Sequence, residues 1–525
     1  MQASSGPTQP SLPPGNVLMS SSTSKAEPPD PHEPHLLENF QRKHPKLLNQ
    51  AAINFAANVF SAILGLLNVV IFTRLLSAAD FGTYALGLGF SAIVSTFMCS
   101  WLRLYIMRVE PRGDGTDVRA AVVPGLMLSC LIAPFAYVAA RLAGLEAQAA
   151  IATIALAVGL GFYDTTLELM RARFEAFTVM RVTALRAVSI LIFGVILTLM
   201  TRSGIALLIS STLAYIVVAL VFTGRTWRGT TIRFDRRQLI GLAKAGLPLT
   251  LSLTLSAISA TVDRFIVADL SGTAAAGQYS AGVDLVRQTM IIPAISIAAT
   301  FMPMAVQILA NRGPEATREH LRECFELMLA ITLPAALGFA IVSHHIANII
   351  LGPDFRDLAA IVMPIICVAV IFQILTYQYV HIGFLLSDRN SLYLINTASA
   401  MIFNCILAYI LIVQFGPLGA AWGRLAAEIF GFVGAIVLTQ WAFPVPLPWG
   451  RAIRVLIAGL AMVAVIKTLD GTLDLSSKTA LIVLIPVGMA TYFATCWLLD
   501  IAKARARLVR ALEMLQGALA IKNGA

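Results

Sequence analysis

Three pairs of charges sit inside otherwise apolar stretches: Asp263 beside Arg264, Asp284 three residues before Arg287, and Arg424 four residues before Glu428. A charge in hydrocarbon is costly unless it is paired or wetted, so each of these needs a reason. The i, i+3 and i, i+4 spacings put both partners on one helix face, where an intrahelical ion pair is a sufficient one. The other reason is a hydrophilic cavity, in which spare guanidinium donors fork the oxygens of a phosphate. The two are compatible, because an ion pair can line a cavity. Asp164, in GLGFYDTTLELM, is a further carboxylate deep in an apolar run, read either as an ion-coupling site or as a helix-end group at the interface. TRLLSAADFGTY (73–84) then places Arg74 and Asp80 in a short gap between two apolar runs. Asp80 suits the cap of a helix starting near Phe81, and Arg74 suits an outer gate or a surface that meets a charged ligand.

Other chemistry is missing from the sequence. There is no G-x-x-x-x-G-K-[ST] phosphate loop, no H-E-x-x-H, and no spacing that suggests a Ser-His-Asp arrangement. The six cysteines are scattered, mostly within apolar runs, so neither a disulfide framework nor a metal site is indicated. No cofactor is expected. His344, His345 and His381 fall near helix ends, where packing is the default and a proton relay the alternative. Gln373, Tyr377, Gln378 and Tyr379 form a polar patch on one apolar run, suited either to sugars or to hydrogen bonds with neighbouring helices.

The elements that must position these groups follow from composition. Of 525 residues, 58% are hydrophobic and only 13% charged, with a mean hydropathy of +0.80. Soluble proteins carry about 25% charged residues, so the solvent for this chain is a bilayer. Fourteen spans are expected, from 51–73 to 479–498, including a third at 119–140, a seventh at 247–269, an eighth at 277–306, a ninth at 324–351 and a tenth at 358–386. Pro293, Pro334 and Pro364 are candidates for bending the last three. With the N-terminus inside, inner segments hold 29 of the 38 Lys and Arg residues. The positive-inside rule therefore places both termini in the cytoplasm and explains the net charge of +10 without nucleic acid.

The expected organisation runs in order along the chain. Residues 1–46 are a Pro- and Ser-rich disordered cytoplasmic tail, and 47–223 a first lobe of six helices. Residues 224–246 form a basic cytoplasmic linker that serves as topology anchor or binds anionic lipid headgroups. A second six-helix lobe occupies 247–442, two extra helices 443–498, and a basic amphipathic cytoplasmic tail 499–525. The lobes are related by a repeat: FGTYALGLGF (81–90) is echoed by AGQYSAGVDL (276–285), both reading Gly-x-Tyr-x-x-Gly at a helix start, with the tyrosines 195 positions apart. Six helices separate the copies, an even number, so the lobes insert in the same orientation, as in parallel-repeat transporters.

TRLLSAADFGTYALGLGF resembles the N-terminal signature of polysaccharide biosynthesis transporters, the oligosaccharide flippases of the Wzx type, within the multidrug/oligosaccharidyl-lipid/polysaccharide exporter superfamily. AGLPLTLS, DRFIV, GQYSAGVDL and GPLGAAWGRLAAE extend the resemblance over roughly 47–440. It implies an all-α polytopic fold of two parallel six-helix lobes, here with two further helices, in the bacterial inner membrane. It also implies a secondary-type transporter, not an enzyme. The implied activity is transfer of an undecaprenyl-pyrophosphate-linked oligosaccharide from the inner to the outer leaflet, for exopolysaccharide or O-antigen synthesis. Implied partners are that lipid-linked glycan, membrane lipids, H+ or Na+ as coupling ion, and other polysaccharide assembly proteins. Arg74, Arg264, Arg287 and Arg424 are then candidates for the headgroup cavity, and Asp164, Asp263, Asp284 and Glu428 for ion coupling or cavity salt bridges. A drug exporter of the same superfamily and a polytopic enzyme of glycan assembly are the alternatives.

Overall fold

Ser77 shows how the chain makes its turns. Its extended backbone (φ −65°, ψ 160°) ends one helix, and its hydroxyl accepts from the Asp80 amide to begin the next. Ser203 and Ser476 open later helices in the same way. In the computed structural model of the protein, residues 45–110, 118–230, 236–387, 389–473, 476–501 and 505 are described, and among them there is no strand. Residues 50–525 form one compact unit. The first 49 residues are a separate unit, of which 45–49 are described and helical.

The helices are α1 (Pro45–Leu75), α2 (Ala78–Val109), α3 (Val118–Cys130, resumed as Ala133–Leu142), α4 (Ala147–Ala172), α5 (Ala176–Thr201) and α6 (Gly204–Trp227). Then come α7 (Arg236–Ser259, resumed as Val262–Ser271) and a 69-residue stretch, Thr273–Ile341, interrupted at Gly313 (φ 81°, ψ −176°). Its two parts, 273–312 and 314–341, are α8 and α9, and Ser343–Ile350 extends α9. Next is α10 (Arg356–Ile374, then a π-helical turn Leu375–Val380, then Ile382–Leu386). The series ends with α11 (Asn390–Phe415), α12 (Pro417–Thr439), α13 (Trp449–Thr472) and α14 (Ser477–Leu498).

Eleven of the described helices are long and apolar enough to cross a bilayer, and the two parts of α7, bent by 41°, make a twelfth. The 69-residue stretch counts once there. At ~1.5 Å per residue each of its parts exceeds the ~30 Å of a hydrocarbon core, so it supplies two spans. With the apolar Val59–Leu75 of α1, the expected fourteen are present. The details differ from expectation. Residues 307–323, expected as a loop, are helical apart from the Gly313 interruption. Helix continues through Pro293, Pro334 and Pro364. Breaks in the helices fall at 131–132, 260–261 and 342, and at the π-helical turn. Of the predicted tails and linker, residues 1–44, 231–235, 502–504 and 506–525 lie outside the described residues.

The two halves meet tightly at the end of the bundle that carries the α1–α2 and α7–α8 turns. A Cβ added to Gly82 would overlap the Thr273 carbonyl oxygen, and one added to Gly277 would overlap that of Ala78. Only glycine lets two helix starts approach this closely. The same end is fastened by the Gly352 amide donating to Thr73 Oγ1 at 3.2 Å and by the Phe81 and Phe355 rings, edge to face at 5.4 Å. Arg74 Nη2 donates to the Ile349 carbonyl in the same region. Helices α13 and α14 pack on α9: Arg451 pairs with Glu319 and Glu326, each at 3.1 Å, and His345 Nε2 meets Asp470 at 2.9 Å.

Candidate functional site

No Pro or Gly explains the break in α7; its sequence there is rich in hydroxyls. Thr254, Ser256 and Thr261 each return their side-chain hydroxyl to the carbonyl four residues earlier, a habit that bends helices. The break frees carbonyls in the interior, and arginines from other helices take them. Arg424 Nη1 donates to Ser259 O at 2.5 Å, and Arg287 Nη1 to Ala260 O at 3.1 Å. A cation at the C-terminal end of a helix segment also meets the favourable end of its dipole.

The carboxylates are distributed around these arginines. Glu428 accepts from Arg424 Nη2 at 2.9 Å and from Gln373 Nε2 at 3.2 Å, so this pair is intrahelical, as its spacing suggests. Asp284 and Arg287 do not pair. Arg264 reaches across from α7 and forks both oxygens of Asp284, leaving Arg287 turned towards the α7 break. The i, i+3 reading fails because a better-aligned partner stands on the neighbouring helix. Asp263, almost fully buried, accepts the Tyr279 hydroxyl at 2.6 Å and lies 4.0 Å from Arg424. Among the described residues, Arg287 has no carboxylate within ion-pairing distance.

A cavity of about 560 Å³ lies between the halves, lined from α1, α2, α5, α6 and α8. Its charged side chains are Arg186 and Arg287. Arg186 donates to Ser61 Oγ at 3.1 Å, and its guanidinium lies over the Tyr163 ring, 5.4 Å from the centroid. It too lacks a carboxylate partner among the described residues. Counted along α5 and α8 from the tightly packed end, Arg186 and Arg287 both lie roughly 21–23 Å down, at one level of the membrane. Asn68 Oδ1, Gln288 Oε1 and Arg186 Nε, all on residues lining this cavity, are buried with no protein partner. A second chamber of about 240 Å³ shares Arg287 and Ile291 with the first and adds Arg424, Gln373, Tyr377 and Gln378.

Of the sequence candidates, Arg287 and Arg424 line a cavity. Glu428 and Asp263 flank Arg424, and Arg264 and Asp284 pair with each other between α7 and α8. Arg74 lines neither chamber and lies at the packed end, where it bonds the Ile349 carbonyl. Asp164 pairs with Arg103 at 3.3 Å between α4 and α2. Asp80 is not the helix cap. Ser77 is, and Asp80 stands in the first turn, accepting from Ser77 Oγ at 2.6 Å and from the Gly204 amide at 3.2 Å. Arg186 was missed. Six residues into an apolar run, it reads as one more basic residue of an inner loop, and the available signal was its depth on the helix.

A family model described as polysaccharide biosynthesis protein matches residues 71–360, more than half of the chain. The chain belongs to this family. The match takes in Arg186 and Arg287 together with Asp164, Asp263, Arg264 and Asp284. No curated protein sequence matches the chain. Among solved structures, the family member is similar to "Lipid II flippase MurJ, inward closed conformation", with 16% identity, 85% of this chain and 99% of that chain covered, and a TM-score of 0.73. It is also similar to the Vibrio cholerae MATE transporter VcmN (16% identity, 77% and 98% covered, TM-score 0.54). A third is an inward-facing multidrug resistance MATE family transporter of the MOP superfamily (16%, 75% and 93%, TM-score 0.53). At these identities the likeness is one of fold. The protein is a multi-pass helical membrane protein with the fold of MOP-superfamily transporters.

Proposed function

We propose that this family member is a flippase that carries a polyprenyl-pyrophosphate-linked oligosaccharide from the inner to the outer leaflet of the bacterial cytoplasmic membrane, with both termini inside. The observation that carries the reading is the pair Arg186 and Arg287, two arginines with no carboxylate partner among the described residues at one depth of one cavity. Holding two such guanidinium groups on one cavity in the membrane interior is unfavourable until an anion joins them. A pyrophosphate offers two phosphoryl groups, each able to accept a forked pair of N–H donors. A lipid-linked sugar cannot cross hydrocarbon unaided, because its charges and hydroxyls would lose their water. A cavity between two halves removes that cost, while the apolar Ile292 and Ile295 of α8 at its wall accompany the chain of the lipid.

Alternating access would then proceed by rocking the halves about the cavity, opening the end sealed by Gly82 and Gly277. An H+ or Na+ gradient or the membrane potential is the proposed driving force. Asp164, Asp263, Asp284 and Glu428 are the candidate coupling groups, each already opposed by an arginine or a tyrosine hydroxyl. A cation exporter of the same superfamily is disfavoured by the same two arginines, which would repel its cargo. The test is depletion of the protein in its host. Lipid-linked glycan should accumulate on the inner leaflet and be cleared by the wild-type gene; normal surface glycan after depletion contradicts the proposal.

A further inference from the structure

The second chamber has a different chemistry from the first. Its walls carry Ser256 and Ser259 of α7 and Gln373, Tyr377 and Gln378 of α10, beside the arginines already engaged at the α7 break. The π-helical turn Leu375–Val380 sets this wall. Its extra residue is marked by the His381 amide reaching back five residues to Thr376 O at 3.0 Å. The polar patch of the sequence is thereby split. Tyr379 turns away, buried, to donate to the Pro446 carbonyl at 2.5 Å. Tyr377 and Gln378 remain half-exposed on the chamber, the Tyr377 ring steadied edge to face by His381 at 5.0 Å.

Among the described residues, the Gln378 amide, the Tyr377 hydroxyl and the Ser259 hydroxyl have no protein hydrogen-bond partner. Gln373 gives its amide N–H to Glu428 and keeps its carbonyl oxygen for another donor. Uncharged groups that both donate and accept, next to an aromatic face, match a ring of hydroxyls on one side and of C–H bonds on the other. Arg424, which lines this chamber and not the first, already gives one Nη to Ser259 O and the other to Glu428, whereas Arg287 has only Nη1 engaged, at Ala260 O.

We infer that this chamber is a saccharide subsite, taking a sugar of the glycan next to the pyrophosphate while the phosphates occupy the Arg186–Arg287 cavity. Arg287, on the wall common to both, stands at the junction between phosphate and sugar. The chamber, at about 240 Å³, has room for roughly one sugar ring, so it reads that sugar and leaves the rest of the glycan unread. This inference rests on the flippase reading, and the experiment separates the two.

The full-length protein in nanodiscs is titrated with two probes: bare undecaprenyl pyrophosphate, and the lipid-linked glycan purified from membranes of the depleted host. The wild type should bind the glycosylated lipid at least about tenfold more tightly than the bare carrier, and Tyr377→Phe and Gln378→Leu should each remove most of that preference. A ratio of affinities is insensitive to the fraction of protein folded, so a loss of yield does not mimic the result. Equal affinity of the wild type for the two lipids, or variants that keep the full preference, overturns the subsite and leaves the flippase reading standing. Failure of the wild type to bind either probe overturns the flippase reading itself, and the subsite with it.

Discussion

Gly82 and Gly277 each hold the start of the other's helix: a Cβ on Gly82 would overlap Thr273 O, and one on Gly277 would overlap Ala78 O. The two glycines and the two carbonyls are each 195 positions apart in the chain, the same offset as the tyrosines of the repeated motif. Reciprocal contacts of this kind are what an approximate two-fold axis produces. The motif therefore does more than mark a repeat. It forms the contact between the halves at their sealed end.

Adding a side chain at either glycine should hold this end apart. In a background without native cysteines, cysteines replacing Phe81 and Phe355, whose rings meet in the structure, should cross-link readily. Gly277→Val should abolish most of the cross-link and impair export with the protein still in the membrane. An undiminished cross-link in Gly277→Val would show that the contact does not set the closed state.

Arg264 and Asp284 test the buried pair. Arg264→Ala strands the Asp284 carboxylate and should cost about 3–5 kcal/mol, read as a large drop in the thermal midpoint of the purified protein. Arg264→Leu with Asp284→Leu should recover much of that loss, since a matched apolar pair removes the desolvation penalty. A double variant as unstable as the single one contradicts this account of the pair.

The first turn separates Arg74 from Asp80. Ser77→Ala should weaken the start of α2 by about 1 kcal/mol. Asp80→Asn should be mild, because an amide oxygen can still accept from the Gly204 amide. Arg74 bonds a single backbone carbonyl, which one ammonium donor can replace, so Arg74→Lys should keep most export and Arg74→Ala should lose it. Strong loss in Arg74→Lys at matched abundance would return Arg74 to a phosphate-forking role.

Orientation is open to labelling. Cysteines at Ser77 and Gly272 should react with an impermeant reagent from outside, and one at Thr230 should not. Reaction at position 230 from outside reverses the proposed topology.

The sequence carried the span count, the repeat and the Arg424–Glu428 pair, because each depends on local spacing or on composition. Three features lay beyond it. The partner of Asp284 is on another helix, and helix facing does not follow from spacing. The break in α7 has no Pro or Gly to announce it and falls where hydroxyls return to their own backbone. Arg186 sits close enough to the end of its apolar run to pass for a topology signal, while the fold carries it to the level of Arg287.

The central claim is that Arg186 and Arg287 together hold a pyrophosphate as the lipid-linked glycan crosses the membrane. Its most direct test is transport in proteoliposomes whose lipid-linked glycan, purified from the depleted host, starts in one leaflet, with arrival in the other read by lectin accessibility. Wild-type protein should move the lipid on a timescale of minutes or less, compared with the far slower unaided crossing expected for a charged, hydroxylated headgroup. The Arg186→Ala, Arg287→Ala double variant, reconstituted to the same density, should move it no faster than empty liposomes. Transport by the double variant at the wild-type rate would contradict the claim.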